Sequence, residues 1–125
     1  MRIEAEAVKL IIERCVHGTW RHLSSEMARI EIDANPDSDK RRKVRALLPA
    51  LADIITNSNA ICERAKELEA EGFGAADAVH LAAAEAQSAD VFLTCDDRLM
   101  KRAQRAGLRL RVENPVDWLR DHEYA

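Results

Sequence analysis

The carboxylates are the residues of this chain whose types and spacing could do chemistry. Asp96 and Asp97 stand side by side where an apolar run, VFLTC, ends within ADVFLTCDDRLMKRA at residues 89–103. Asp77 opens an alanine-rich segment, AADAVHLAAAEAQ, and His80 follows it by three positions, on the same face of a helix. Glu26 and Glu31 come after the serine pair of HLSSEMARIEIDANPD. Three separated acids gathered at one end of a sheet would make a hard, oxygen-rich site suited to Mg²⁺ or Mn²⁺ rather than zinc. Such an ion orients a water and neutralises charge developing on phosphate oxygens, which is the chemistry of phosphodiester hydrolysis. Each acid alone also has a structural use: Asp96 or Asp97 as a helix N-cap, Asp77 as a first-turn partner of the helix dipole, Glu31 as a solvated helix residue. His80 could hydrogen-bond a site carboxylate or be a satisfied core histidine.

The elements that must position these acids follow from hydrophobic periodicity. Over residues 4–17, Val8, Ile11, Ile12 and Cys15 recur at helical steps, and Gly18 follows as a stop. A short strand is predicted over 20–24, then a helix started by Ser24 or Ser25 with Met27 and Ile30 on one face, broken by NPDSD. A helix over 39–52, basic at its start, is kinked or shortened by Pro49. DIIT at 53–56 reads as a strand, and 58–71 as a helix that carries Ile61, Ala65 and Leu68 and stops at Gly72. The small side chains of the alanine-rich helix let it pack closely, which puts it deep in the molecule. VFLTC has no alternation, the pattern of a strand covered on both faces in a parallel sheet. Residues 97–106 form a helix ended by Gly107, LRLRV alternates as an edge strand does, and Asn114 caps a last helix with Pro115 at its first position.

The resulting order, α β α α β α α β α β α, predicts an α/β domain of three layers, α/β/α, with a mostly parallel sheet of about four strands. In such a sheet a site lies outside the carboxyl ends of the strands. Asp96 and Asp97 fall there, past VFLTC, and Glu26 and Glu31 fall past the strand that ends near Ser24.

At 125 residues the chain is expected to be a single domain, 1–125. A hydrophobic content of 47% with 33% charged residues is that of a soluble globular protein, and no apolar run approaches the roughly 20 residues that span a bilayer. The first residues carry acids and no small-residue cleavage site, so no membrane partner and a cytoplasmic location are expected. A net charge of −3 excludes a protein that coats nucleic acid by charge alone. Lys40, Arg41, Arg42, Lys43 and Arg45 could track a phosphate backbone, or form a solvated helix face beside Asp37 and Asp39. Cys15, Cys62 and Cys95 lack metal-type spacing and sit in apolar stretches, which predicts buried free thiols.

The run GAADAVHLAAAEAQSADVFLTCDDRLMKRA, followed by a strand and NPVDWL, resembles the C-terminal half of PIN domains, in the bacterial group that includes VapC-like toxins. In that family an Asp opens a helix of small residues, often with a following His, and an apolar strand runs into Thr-x-Asp. Asp77, His80 and Thr94-Cys95-Asp96 match those positions. HLSSEMARIEIDANPD is similar to the family's second strand and helix, where an acid follows the serines by about six residues, which favours Glu31 over Glu26. The resemblance covers nearly all of the chain and is strongest over 74–118. It implies a metal-dependent endoribonuclease in which Glu31, Asp77 and Asp96 hold one or two Mg²⁺ or Mn²⁺ ions that activate water against an RNA phosphodiester. Asp97 then caps the helix or assists as a further ligand, with Thr94 and His80 behind the acids. It also implies a toxin neutralised by an antitoxin protein.

PIN domains usually begin with a central strand that ends in a metal-binding Asp, whereas MRIEAEAVKLII resembles the helix that follows that strand. Two readings result: the start lies upstream, or the chain is a degenerate relative without that strand and its ligand. Without it the backbone groups of its neighbours, near Leu23 and Phe92, are unpaired. A homo-oligomer that covers the gap is therefore expected, with a weaker divalent site and weaker nuclease activity. A reading from a different class is a non-catalytic PIN-like module that binds nucleic acid or protein.

Overall fold

Short polar caps set four of the helix starts among the described residues. Asp37 accepts from the amides of Asp39 and Lys40, Ser58 from Ile61, Asp96 from Arg98 and Leu99, and Asn114 from Val116. Each bond satisfies an amide that a helix start leaves without a partner. Gly107, in the left-handed region at φ 67°, closes the helix that Asp96 opens.

The structure, a computed structural model, describes residues 2–47, 49 and 53–122. Its elements are α1 (Arg2–Val16), β1 (Ser24–Ser25), α2 (Glu26–Asp33), α3 (Ser38–Arg45), β2 (Ile54–Ile55), α4 (Asn59–Ala70), α5 (Ala75–Ala86), β3 (Phe92–Leu93), α6 (Asp97–Ala106), β4 (Val112–Glu113) and α7 (Pro115–His122). This is the predicted order, and both strand ladders are parallel, as expected of the α/β class. The chain divides into two compact units, one of Met1–Arg21 with Asp90–Ala125 and one of His22–Ala89.

In the His22–Ala89 unit, α4 packs along α5. Ile61, Ala65 and Leu68 of α4 are buried with Ala78, Leu81, Ala82 and Ala83 of α5, and Phe73 closes the turn between the helices. Leu68 and Leu81 have no exposed surface, and truncating a leucine at such a site costs about 2–5 kcal/mol. Arg64 ties the pair together at the rim, with Nε 2.8 Å from Glu85 and Nη1 3.1 Å from Glu67. β1 pairs β2 with Ser24 opposite Ile54 and Ser25 opposite Ile55. α2 and α3 form a hairpin with no buried residue, closed by Asn35, whose Oδ1 accepts from Asp37 N, and by an ion pair from Arg45 to Asp33.

In the other unit α1 packs on α7. Trp118 meets the edge of Trp20 at 4.7 Å and stacks on His122 at 4.6 Å. β3 pairs β4 with Phe92 opposite Val112, and bonds from Phe92 N to Arg111 O and from Thr94 N to Glu113 O continue the ladder at both ends. Leu99 and Ala103 of α6, with Leu110, Pro115 and Leu119, are buried.

Several expectations are corrected. The strands are two residues long, starting at Ser24 rather than 20 and at Val112 rather than 108. In LRLRV, Leu110 is nonetheless buried while Arg109 and Arg111 are exposed, because alternation records which way side chains face and not which backbone groups pair. Phe92 and Leu93 are half-buried, since among the described residues β3 pairs on one edge only. Val8 is exposed while Ala7 is buried, and Ile30 is 57% exposed although its spacing assigns it to the inner face of α2. α3 ends at Arg45, and residues 48 and 50–52 of the predicted 39–52 helix lie outside the described residues. The cysteines are free, but Cys62 and Cys95 are exposed and Cys15 is half-buried. Cys62 is one residue, about 100° of helix, away from the buried Ile61, and Cys95 lies in the turn past β3.

Candidate functional site

β1 ends on Ser25, which is only 6% exposed and occupies the N-cap position of α2 with extended backbone angles. Its hydroxyl does not cap the helix, as the sequence suggested for Ser24 or Ser25. It lies 2.7 Å from His80 Nδ1 instead, and His80 Nε2 lies 2.5 Å from Glu31 Oε1. His80 is 18% exposed at its side chain and Glu31 51%, so the chain of bonds runs from the interior to solvent. α5 packs against β1 and α2, which brings its His80 face to both partners. A carboxylate can only accept, so Nε2 carries a proton. Nδ1 then either accepts from the Ser25 hydroxyl or, in the imidazolium form, donates to it.

Asp77 lies one turn before His80 and its Oδ2 reaches back over the helix start, 4.0 Å from where a Cβ on Gly74 would sit. The unpaired amides there favour a negative charge. Glu26 serves the backbone instead, since its Oε2 accepts from Asn57 N at 2.8 Å and fixes the chain after β2. Before β1, burial lowers the pKa of His22 against the opposing pull of Asp53.

In the other unit, Asp96 Oδ1 accepts from Arg98 N at 2.9 Å and Leu99 N at 3.2 Å, and Thr94 Oγ1 accepts from Asp96 N at 3.1 Å. The cap is therefore Asp96, while Asp97, for which capping or assistance was open, is the exposed first residue of α6. Both capping bonds end on Oδ1, so Oδ2 takes no part in them. At Cys95, desolvation pushes the thiol pKa up, and Glu4, which accepts a hydrogen bond from the thiol, pushes the same way. Glu4 Oε2 also accepts from Asn114 Nδ2 at 2.7 Å, a link the sequence gave no reason to expect.

Of the basic cluster, Arg41 donates to the Asn35 carbonyl, Arg42 pairs with Asp39 and Arg45 with Asp33, while Lys40 and Lys43 have no ion pair among the described residues. Lys40 and Arg41 line an open depression of about 180 Å³ together with Glu31, Ile32, Asn35 and Val44. Ser25 is the residue that sequence reasoning misassigned. No local signal gives its partner, because His80 is 55 positions away in the sequence.

Carboxylate oxygen is the donor that Mg²⁺ and Mn²⁺ prefer, so Glu31, Asp77 and Asp96 fit such an ion in kind. Among the described residues, no group of three or more His, Cys, Asp or Glu side chains is gathered so as to hold one. A family model described as PIN domain matches residues 2–106. No curated protein and no solved structure matches the chain.

The Asp96 geometry separates its two uses. Asp96→Ala should destabilise the protein to urea by about 0.5–2 kcal/mol, and Asp96→Asn by much less, because asparagine caps as well as aspartate. Equal losses for both variants would assign the stabilisation to the charge rather than the cap.

Proposed function

This chain belongs to the PIN domain family, whose members are in general nucleases, and on that premise we propose that it is a metal-dependent endoribonuclease acting on RNA phosphodiester bonds. The observation that supports the reading most is the bond from His80 to Glu31, which joins the helix opened by Asp77 to the acid of α2. Glu31, Asp77 and Asp96 are the proposed metal-holding and catalytic acids, with Asp97 adjoining. A Mg²⁺ or Mn²⁺ ion bound by them would supply Lewis acidity, lowering the pKa of a bound water and neutralising charge on the phosphate. His80 restrains Glu31 and the Thr94 hydroxyl fixes the backbone of Asp96, so both acids are oriented by their own neighbours. Because Lys40 and Arg41 share a depression with Glu31, an RNA phosphate drawn there by charge would lie next to that acid. Arg42, Lys43 and Arg45 have the weaker claim to RNA, since Arg42 and Arg45 are paired within the hairpin.

On this reading residues 1–125 form one PIN-like domain of a cytoplasmic protein, the toxin of a toxin–antitoxin pair with an antitoxin as partner. Among the described residues, no helix is long and apolar enough to cross a membrane. β1 and β3 are each paired on one edge only among the described residues, and we assign a second copy of the chain to covering those edges. A second reading, a non-catalytic module that binds RNA or protein, is favoured by one observation: among the described residues, no three of the His, Cys, Asp or Glu side chains are gathered so as to hold a metal ion.

Cleavage of a fluorogenic single-stranded RNA should require Mn²⁺ and fall at least about a hundredfold in Asp77→Asn and in Asp96→Asn. Metal-independent cleavage would overturn the metal-dependent mechanism, and no cleavage with RNA binding unchanged in both variants would transfer support to the non-catalytic module. Lys40→Ala should weaken RNA binding evenly across sequences and reduce the slope of log affinity against log salt by about one. An unchanged slope would remove Lys40 from the interface. Light scattering should give the mass of a dimer or higher assembly, and a monomer with a folded circular-dichroism spectrum would refute the covering of strand edges by a second copy.

A further inference from the structure

We infer that Ser25 is a positioning residue for Glu31, acting through the imidazole of His80; its consequence for a metal ion rests on the proposed function, its geometry does not. Ser25 sits at an N-cap position with the backbone angles of a cap, φ −81° and ψ 157°, yet its hydroxyl bonds His80 rather than an amide of α2. A buried serine that forgoes the local bond for one to a residue 55 positions away is tied to the ring and not to the helix start.

The ring has opposite demands at its two nitrogens. Glu31 Oε1, at 2.5 Å, requires a proton on Nε2. In the neutral ring Nδ1 then holds a lone pair, and the Ser25 hydroxyl at 2.7 Å is the donor that satisfies it. Without that hydroxyl nothing in this pair of bonds prevents the ring from turning, or from moving its proton to Nδ1 and presenting a lone pair to the carboxylate. Ser25 thus fixes both the plane and the tautomer of His80, and His80 fixes one oxygen of an otherwise half-exposed glutamate. The anchored oxygen is Oε1, so Oε2 is the one left to bind a cation, as expected of a ligating carboxylate that is itself hydrogen-bonded.

A nucleophilic role for Ser25 does not fit. The hydroxyl is buried, and it bonds Nδ1 with the acid on Nε2, the reverse of the Ser–His–acid arrangement in which Nε2 serves the hydroxyl.

The test is a long-range ¹H–¹⁵N spectrum of the histidine rings in the metal-free 125-residue chain at about pH 8, above the ordinary range of a histidine. His80→Gln identifies the His80 signals among those of the four histidines. A single Nε2–H pattern is expected in the wild type and in Ser25→Thr, which keeps the hydroxyl, with an averaged pattern in Ser25→Ala. Mn²⁺ titration followed by paramagnetic line broadening should then show affinity about tenfold weaker in Ser25→Ala and near wild type in Ser25→Thr. An Nδ1–H pattern in the wild type, or an unchanged pattern in Ser25→Ala, overturns the inference. Should Ser25→Ala fail to fold, Ser25→Cys, which keeps the size of the side chain but weakens the donor, takes its place, with an averaged pattern expected and an unchanged one overturning the inference. A pattern lost in Ser25→Ala with Mn²⁺ affinity unchanged supports the positioning of Glu31 and overturns its reading as a metal ligand.

Discussion

How closely α5 can approach its neighbours governs the His22–Ala89 unit. Ala78, Ala82 and Ala83 turn methyl groups where other helices turn isobutyl or aromatic groups, and all three are essentially without exposed surface. Alanine loses no side-chain entropy on burial and keeps the backbones close, so α5 lies among α4, β1 and α2 with little freedom to shift. His80 is carried on this closely packed backbone between Ala78 and Ala82. Its ring is just long enough to reach a strand-end serine on one side and a helix-borne glutamate on the other. A larger residue in place of any of these alanines would push the helix outward and break the relay before it touched an acid.

The site was legible where its chemistry is local. Asp77 and His80 share a helix face by spacing alone, and of the two glutamates weighed in the sequence, Glu26 holds the backbone at Asn57 while Glu31 meets the histidine. The partner of His80 was not legible, because Ser25 is 55 positions away and its type suits a helix cap equally well. The Asp96–Asp97 pair was legible only to within one residue. Either could cap α6, and the selection is made by Thr94, whose hydroxyl takes the Asp96 amide and turns that carboxylate onto the helix start.

The same division runs through the fold. Periodicity and caps delivered the order of all the helices and strands, and the buried stripe of α4 falls on Ile61, Ala65 and Leu68 as the spacing requires. Strand extents were overdrawn because a ladder depends on a partner distant in sequence, as between Ser24 and Ile54, and on having partners at both edges. Exposure of Ile30, Cys62 and Cys95 was missed for a related reason: an apolar residue is buried only if another element arrives to cover it.

The division of the chain into two units has a consequence for how it folds. His22–Ala89 is continuous, so all its contacts can form as soon as α5 and the residues that follow it have been synthesised. The other unit joins α1 to α7 across everything between them, and it alone carries the loop-closure entropy of that intervening chain, which grows only as about (3/2)RT ln n and falls further once the loop is itself compact. α1, synthesised well before α7, must therefore wait for it with Trp20 and its half-buried isoleucines uncovered, a delay that high contact order imposes and that exposes this unit rather than the alanine-packed one to aggregation.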